Sequence, residues 1–211
     1  MVRPDIIEFK KTIPSNVTLV AATKYLTSDE MKDFLKAGIN NFGENRVDSF
    51  LEKYSNLKNE QIVWHFIGHL QRNKAKKIID KISYLHSLDS LELAKIINDN
   101  NPNLKCFVEI SINLEETKNG VPFYEAEKFF SELIKFKNLK VVGLMMIAVK
   151  NADDLSLKNQ FAKLRELRDN LEKKFKISLP YLSMGMSDDY LEAIEEGATH
   201  IRLGRILLKQ K

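Results

Sequence analysis

Short apolar runs alternate along this chain with longer amphipathic stretches. The clearest run is Val17-Thr18-Leu19-Val20-Ala21-Ala22-Thr23-Lys24, nearly unbroken until its terminal lysine. A run of this length, rich in β-branched residues, reads as a parallel strand buried on both faces. Before it, residues up to about Pro14 give a weak helical pattern with Ile6, Ile7 and Phe9 among charges. After it, Thr27 opens a helix with Glu30 three residues on, the spacing of a capping box. That helix carries Met31, Phe34 and Leu35 on one face and stops near Gly38.

The alternation then repeats. Residues 40–42 predict a second strand, with Gly43-Glu44-Asn45 as its exit turn and a helix to about Tyr54. Residues 62–67 predict a third strand, broken by Gly68 and followed by a helix over about 71–80. A fourth strand over 83–86 precedes a helix at 91–97, capped by Asp89 with Glu92 three residues on. A fifth over 104–112 leads through a loop at 117–120 to a helix with Glu125, Phe129, Leu133 and Phe136. Residues 139–148 predict a sixth strand, and Leu157, Phe161, Leu164, Leu171 and Phe175 mark a long helix after it. A seventh strand at 179–183, a helix capped by Ser187 and an eighth strand at 199–203 complete the series.

Eight strand–helix units without a long linker predict the α/β class and a single TIM (β/α)8 barrel over 1–211. An open doubly wound sheet is the alternative, but no G-x-G-x-x-G follows the first strand.

Composition narrows the function. The 33 basic and 29 acidic residues leave a net charge of +4, spread along the chain with no basic block. The clustered footprint of a nucleic-acid binder is missing, so no nucleic-acid partner is expected; an anionic small ligand suits the balance. The single cysteine, Cys106, lies in an apolar run and reads as a small buried residue in a reducing compartment. The first residues lack a signal-peptide core, and no segment is long enough to span a membrane. A cytoplasmic protein with no membrane partner is the expectation.

Barrels place their chemistry where strands end and βα loops begin. Those positions carry Lys24, Asn45, His65, His69, His86, Ser87, Asp89, Asn113, Met145, Met146, the run 183–187, Arg202 and Gly204. A lysine at the first strand's end is placed to offer an amine to a carbonyl; the other reading is a solvated surface lysine. The four histidines show no metal-ligand spacing, and His65 and His86 read as pocket-wall or core residues. In Ser183-Met184-Gly185-Met186-Ser187, the glycine allows close backbone approach and Ser187 is a good N-cap. Free amides at a helix N-terminus favour phosphate, and Gly204 past the eighth strand matches the second half of a barrel phosphate site. Two ordinary βα turns are the other reading. Asp188 and Asp189 would repel a phosphate if they faced it.

Several of these runs together resemble the pyridoxal-phosphate homeostasis protein family, small single-barrel relatives of the alanine racemase N-terminal domain. They are Ala21-Ala22-Thr23-Lys24, Asn41-Phe42-Gly43-Glu44-Asn45, the run 64–74 from Trp64 to Lys74, His86-Ser87-Leu88-Asp89, Gly143-Leu144-Met145-Met146, the run 182–189 and Ile201-Arg202-Leu203-Gly204. The resemblance implies that Lys24 forms the internal aldimine with pyridoxal 5′-phosphate and that Arg202 faces the pyridine nitrogen. It implies too that Asn45 lies beside the cofactor and that Ser183, Ser187 and Gly204 hold the phosphate, partly through backbone amides. Two departures stand out. Arg205 occupies a position where the family usually has Thr or Ser, and the N-terminal segment is shorter than is usual.

Schiff-base chemistry needs a neutral amine, so burial of Lys24 near cationic Arg202 is expected to lower its pKa. An arginine partner keeps the pyridine nitrogen unprotonated and weakens carbanion stabilisation. In racemase relatives a second base comes from a further C-terminal domain, whereas this chain ends seven residues past Gly204. Tyr25 follows Lys24 directly. The expected function is therefore storage, carriage or delivery of pyridoxal 5′-phosphate, without robust turnover. The protein is expected to be a monomer that hands cofactor to apo forms of dependent enzymes. A weak amino-acid racemase is the alternative, and a sugar-phosphate barrel using Lys24 in an aldolase manner ranks third.

Overall fold

A computed structural model describes residues 2–112, 119–149 and 151–209. Asn113 and residues 117–118 of the fifth loop, both singled out above, lie outside the described residues.

The strands are β1 Thr18–Ala22, β2 Asn41–Glu44, β3 Val63–Phe66, β4 Tyr84–Leu88, β5 Lys105–Ser111, β6 Val121–Pro122, β7 Lys140–Met145, β8 Tyr181–Ser183 and β9 His200–Leu203. The helices are α1 Ile6–Lys11, α2 Ser28–Lys36, α3 Val47–Asn56, α4 Arg72–Ala75, α5 Leu91–Asn100, α6 Ala126–Leu133, α7 Asp154–Phe175 and α8 Tyr190–Glu195. Parallel pairing runs β4-β3-β2-β1-β9-β8-β7-β5, and β4 also pairs with β5, which closes eight strands into a barrel. The two-residue β6 sits outside this ring, paired to β5.

Local signals explain several boundaries. Thr27 caps α2 in a full capping box: its hydroxyl accepts from Glu30 N at 3.2 Å, and the Glu30 carboxylate accepts from Thr27 N at 2.9 Å. Asp153 accepts from Ser156 N at 2.9 Å at the start of α7. Other expectations need correction. Gly43 and Glu44 belong to β2 rather than its exit turn, and β4 runs on to Leu88. The helix expected over 71–80 is a single α-turn followed by further turns. Ser90, not Asp89, occupies the N-cap position of α5. Asp89 instead bonds His69 Nδ1 at 3.0 Å, a cross-loop partner that its own sequence neighbours cannot reveal.

Side chains alternate across each strand. Outward-facing Phe42, Phe66, Leu85, Val108, Leu144, Leu182 and Ile201 join the helices in the main apolar layer. Cys106 lies fully buried there, and burial pushes its thiol pKa up. The barrel interior is different. Aliphatic side chains usually fill this space; here His65, Tyr84, His86, Phe107, Tyr181 and His200 stack within it. His65 lies on Tyr84 with centroids 4.6 Å apart, and His86 on Phe107 at 4.5 Å. Gly43 makes room opposite them, since a Cβ there would come within 3.0 Å of Val20 and Ile67.

Candidate functional site

The six predicted site residues sit at the carboxyl ends of β2, β1, β9 and β8, four consecutive strands of the ring. Lys24 lies just beyond the end of β1 and is exposed, contrary to the expected burial; its Nζ stands 4.9 Å from the centroid of the Tyr25 ring. Tyr25 is itself 75% exposed.

The backbone leading to Lys24 is firmly held. Thr23 N donates to Gly43 O at 3.0 Å, and its hydroxyl donates to Glu44 Oε1 at 2.5 Å. Lys53, from α3, donates to both Thr23 O and Glu44 Oε1 at 2.6 Å. Glu44 is fully buried and also accepts from Ser49 Oγ at 3.3 Å. Sequence reading missed this hub because Glu44 was assigned to a turn. The available signal was a carboxylate ending an apolar strand with a lysine on the next helix.

Asn45 is half-buried after β2 and packs against Gly68. A Cβ on Gly68 would fall 2.3 Å from Asn45 O, so the third loop needs glycine for this close approach.

Arg202 is 5% exposed and points into the barrel. Its guanidinium donates to Ser183 Oγ at 2.6 Å and to Met146 O at 2.8 Å. Burial lowers its pKa to about 10, with Glu109 and Asp189 opposing that shift, so it stays charged at neutral pH. Ser183, expected from the resemblance to help hold the phosphate, is instead fully buried below Arg202 and also bonds His86 Nδ1 at 2.7 Å. His86 Nε2 meets His65 Nδ1 at 2.9 Å, and His65 Nε2 meets Asn41 Oδ1 at 3.0 Å.

One proton arrangement satisfies every member of this chain. Arginine only donates, so Ser183 accepts from Arg202 and donates to His86 Nδ1. His86 Nε2–H then donates to His65 Nδ1, and His65 Nε2–H donates to Asn41 Oδ1. Both rings are neutral, because burial holds their pKa values well below the usual histidine range. His65 and His86 are thus buried core residues, each with both ring nitrogens engaged.

At the β8 and β9 exits, Ser187 Oγ accepts from Gly204 N at 3.2 Å and from Ile206 N at 3.5 Å. Ser187 is not the helix cap that its position suggested: α8 starts at Tyr190 with Asp189 in the N-cap position. The Asp189 carboxylate accepts from Met186 N at 2.5 Å. Gly185 has φ +91°, and a Cβ would stand 2.7 Å from Ala193 Cβ, so helix packing as well as loop conformation demands glycine there. Gly204 differs, since a Cβ would meet Ala22 at 3.6 Å, an ordinary contact. Arg205 is exposed and pairs with exposed Asp188.

The opposite half of the mouth holds the His69–Asp89 pair, which borders a cleft of about 720 Å³ together with Arg72, Glu92 and Gly120. It also holds Glu109, a residue that sequence reading did not select.

These features fit a ligand with an aldehyde, an acceptor nitrogen and an anionic group. Lys24 supplies an amine and Arg202 a donor that stays charged at neutral pH. Around Gly204 the Ser187 hydroxyl, which accepts from Gly204 N and Ile206 N, keeps its own proton to donate, and no side chain intrudes at Gly204.

The family model described as "Alanine racemase, N-terminal domain" matches residues 6–210. The chain is 41% identical over 199 residues to the pyridoxal phosphate homeostasis protein of Aquifex aeolicus, covering 92% of this chain and 86% of that one. It is 38% identical over 205 residues to the protein of the same name from a Synechocystis strain, covering 95% and 94%. Among solved structures, PipY of Synechococcus elongatus with PLP bound superposes with a TM-score of 0.89 at 29% identity, covering 97% of this chain and all of that one.

Proposed function

The chain belongs to the pyridoxal phosphate homeostasis protein family, and from that membership we propose that it binds pyridoxal 5′-phosphate at the mouth of its barrel and serves in keeping, carrying or delivering this cofactor. When bound, the cofactor supplies an aldehyde, a pyridine nitrogen and a phosphate. Lys24 offers its amine to the aldehyde from the end of β1. Arg202 donates to the pyridine nitrogen. Ser187 and the backbone around Gly204 hold the phosphate, Asn45 lies alongside, and Ser183 steadies Arg202 from below.

The observation that carries this reading is the anchoring of Arg202. Its guanidinium is fixed by Ser183 and Met146 O and remains charged at neutral pH. A donor of this kind leaves the nitrogen it faces without a proton, so the site holds the cofactor without making it a strong electron sink. On this reading the protein binds the cofactor without robust turnover. It acts as a cytoplasmic, monomeric, single-domain carrier whose recipients are apo forms of enzymes that use the cofactor. Among the described residues, no helix is long and apolar enough to cross a membrane.

Adding pyridoxal 5′-phosphate should produce a visible absorbance band absent from free cofactor and lost in Lys24→Ala. Incubating the loaded protein with L-amino acids in D₂O separates the carrier from a weak racemase. Sustained α-deuteration would overturn the carrier reading. Reactivation of an apo enzyme by loaded protein, timed against free cofactor, tests delivery; equal rates at equal free cofactor would refute direct transfer.

A further inference from the structure

Glu109 lies on the inward face of β5, two residues beyond Phe107 and in register with Met145. It is 8% exposed. Among the described residues its carboxylate has no hydrogen-bond or ion-pair partner. The charged groups facing it come from three other elements: Asp89 after β4, His69 after β3 and Arg202 on β9. None of them closes on it. Asp89 bonds His69 at 3.0 Å, while Arg202 is drawn to Ser183 and Met146 O. Gly120 packs over the side-chain stem, where a Cβ would stand 3.2 Å from Glu109 Cγ. Burial, reinforced by Asp89 and opposed by Arg202 and His69, raises the carboxyl pKa to about 7. A carboxyl largely withdrawn from water, with no partner among the described residues, is costly, and such groups cluster where ligands are handled.

Its place in the ring gives the role. β5 is four strands from β1 in either direction, so Glu109 lies across the mouth from Lys24. A cleft bordered by His69, Asp89 and Gly120, neighbours of Glu109, opens on the same half of the mouth.

We infer that Glu109 is an amine-receiving acid–base group, which binds the ammonium of a small primary amine entering the site and takes one of its protons. The step is R–NH3⁺ + Glu109–COO⁻ → R–NH2 + Glu109–COOH. The N–H bond breaks, its electron pair stays on nitrogen, and the carboxylate gains the O–H. The neutral amine this leaves is a nucleophile, so release of a cofactor held at Lys24 would respond to amines. This inference rests on the cofactor reading above.

The test uses wild type and Glu109→Gln, each loaded with pyridoxal 5′-phosphate, with ethanolamine as the probe amine. Loss of the Lys24-bound cofactor, trapped on the protein by borohydride and read by mass spectrometry, is timed between about pH 6 and 9. In wild type the rate should rise through neutral pH and then level off, because carboxylate and ammonium react together. In Glu109→Gln only free amine reacts, so the rate should climb about tenfold per pH unit toward the amine's own pKa. Near pH 7 the variant should be slower by about 100-fold. An independent readout needs no cofactor. Carbon-13 NMR of the glutamate-labelled apo protein should show one carboxyl titrating near neutrality that vanishes in Glu109→Gln. Superimposable rate profiles, or no carboxyl titrating near neutrality, would overturn the inference. If neither protein loads, the cofactor reading falls and this inference with it.

Discussion

Replacing Lys53 with Met isolates a buried charge directly beneath the candidate lysine. Lys53 and Glu44 have side chains only 8% and 0% exposed, with Nζ 2.6 Å from Oε1. Methionine keeps most of the buried aliphatic stem, so the apolar contribution changes little. What is lost is the partner of a carboxylate that stays buried. Breaking such a pair costs about 3–5 kcal/mol, and Thr23 O loses a donor worth about 1 kcal/mol more. The remaining donors to Glu44, Thr23 Oγ1 at 2.5 Å and Ser49 Oγ at 3.3 Å, offset part of this. A net loss of about 3–4 kcal/mol is expected, which for a chain of this size lowers Tm by roughly 10 °C. Urea unfolding followed by circular dichroism measures it. Adding Glu44→Gln removes the stranded charge, so the double variant should recover about 2 kcal/mol rather than lose more. Cofactor loading should also weaken in Lys53→Met, since Thr23 positions the backbone of Lys24. A loss under about 1 kcal/mol, or additive single and double variants, would refute the argument that this pair anchors the turn.

Four further outcomes follow from the geometry. The Glu109 carboxyl is raised from 4.5 to about 7, so the folded state binds more protons than the unfolded state between those values. Wild type should therefore lose stability relative to Glu109→Gln as pH rises across that window, by at most about 3 kcal/mol, with no further change above it; parallel urea midpoints at pH values either side would refute this. Ser183→Ala leaves the Arg202 donor and His86 Nδ1 without their shared partner and should cost about 2–4 kcal/mol in urea unfolding, whereas an unchanged midpoint would show that the buried chain does not anchor Arg202. Gly204→Ala meets only ordinary contacts and should leave apo stability within about 1 kcal/mol while weakening cofactor binding about tenfold. Gly68→Ala drives a Cβ to 2.3 Å from Asn45 O and should destabilise the apo protein by about 2–3 kcal/mol. Equal effects of the two glycine variants on apo stability would contradict both contact arguments.

Much of the architecture was legible in one dimension. Strands buried on both faces leave near-continuous apolar runs, helices leave a stripe and a cap, and both are local properties of the chain. Residues 17–24, the Thr27–Glu30 box and the eightfold alternation needed no tertiary information, and strand ends alone pointed to Lys24, Arg202 and Gly204. Roles for these residues came from the family resemblance of whole motifs, which adds what periodicity does not contain. The remainder depended on register between distant strands. Glu44 reads as a turn residue until β2 is paired with β3 and Lys53 comes down on it from α3. His86 and Ser183, 97 residues apart, become one hydrogen-bond chain only when the barrel closes. Lys24 proved exposed because β1 stops at Ala22, and Ser187 turned from a helix cap into an acceptor for the β9 exit. Glu109 shows the division most plainly. Its inward face follows from strand alternation, but that it has no partner among the described residues reflects Arg202 choosing Ser183 and Met146 O, and Asp89 choosing His69. A sequence determines which face a side chain takes; which neighbours it then finds, or fails to find, is fixed by packing among strands far apart in the chain.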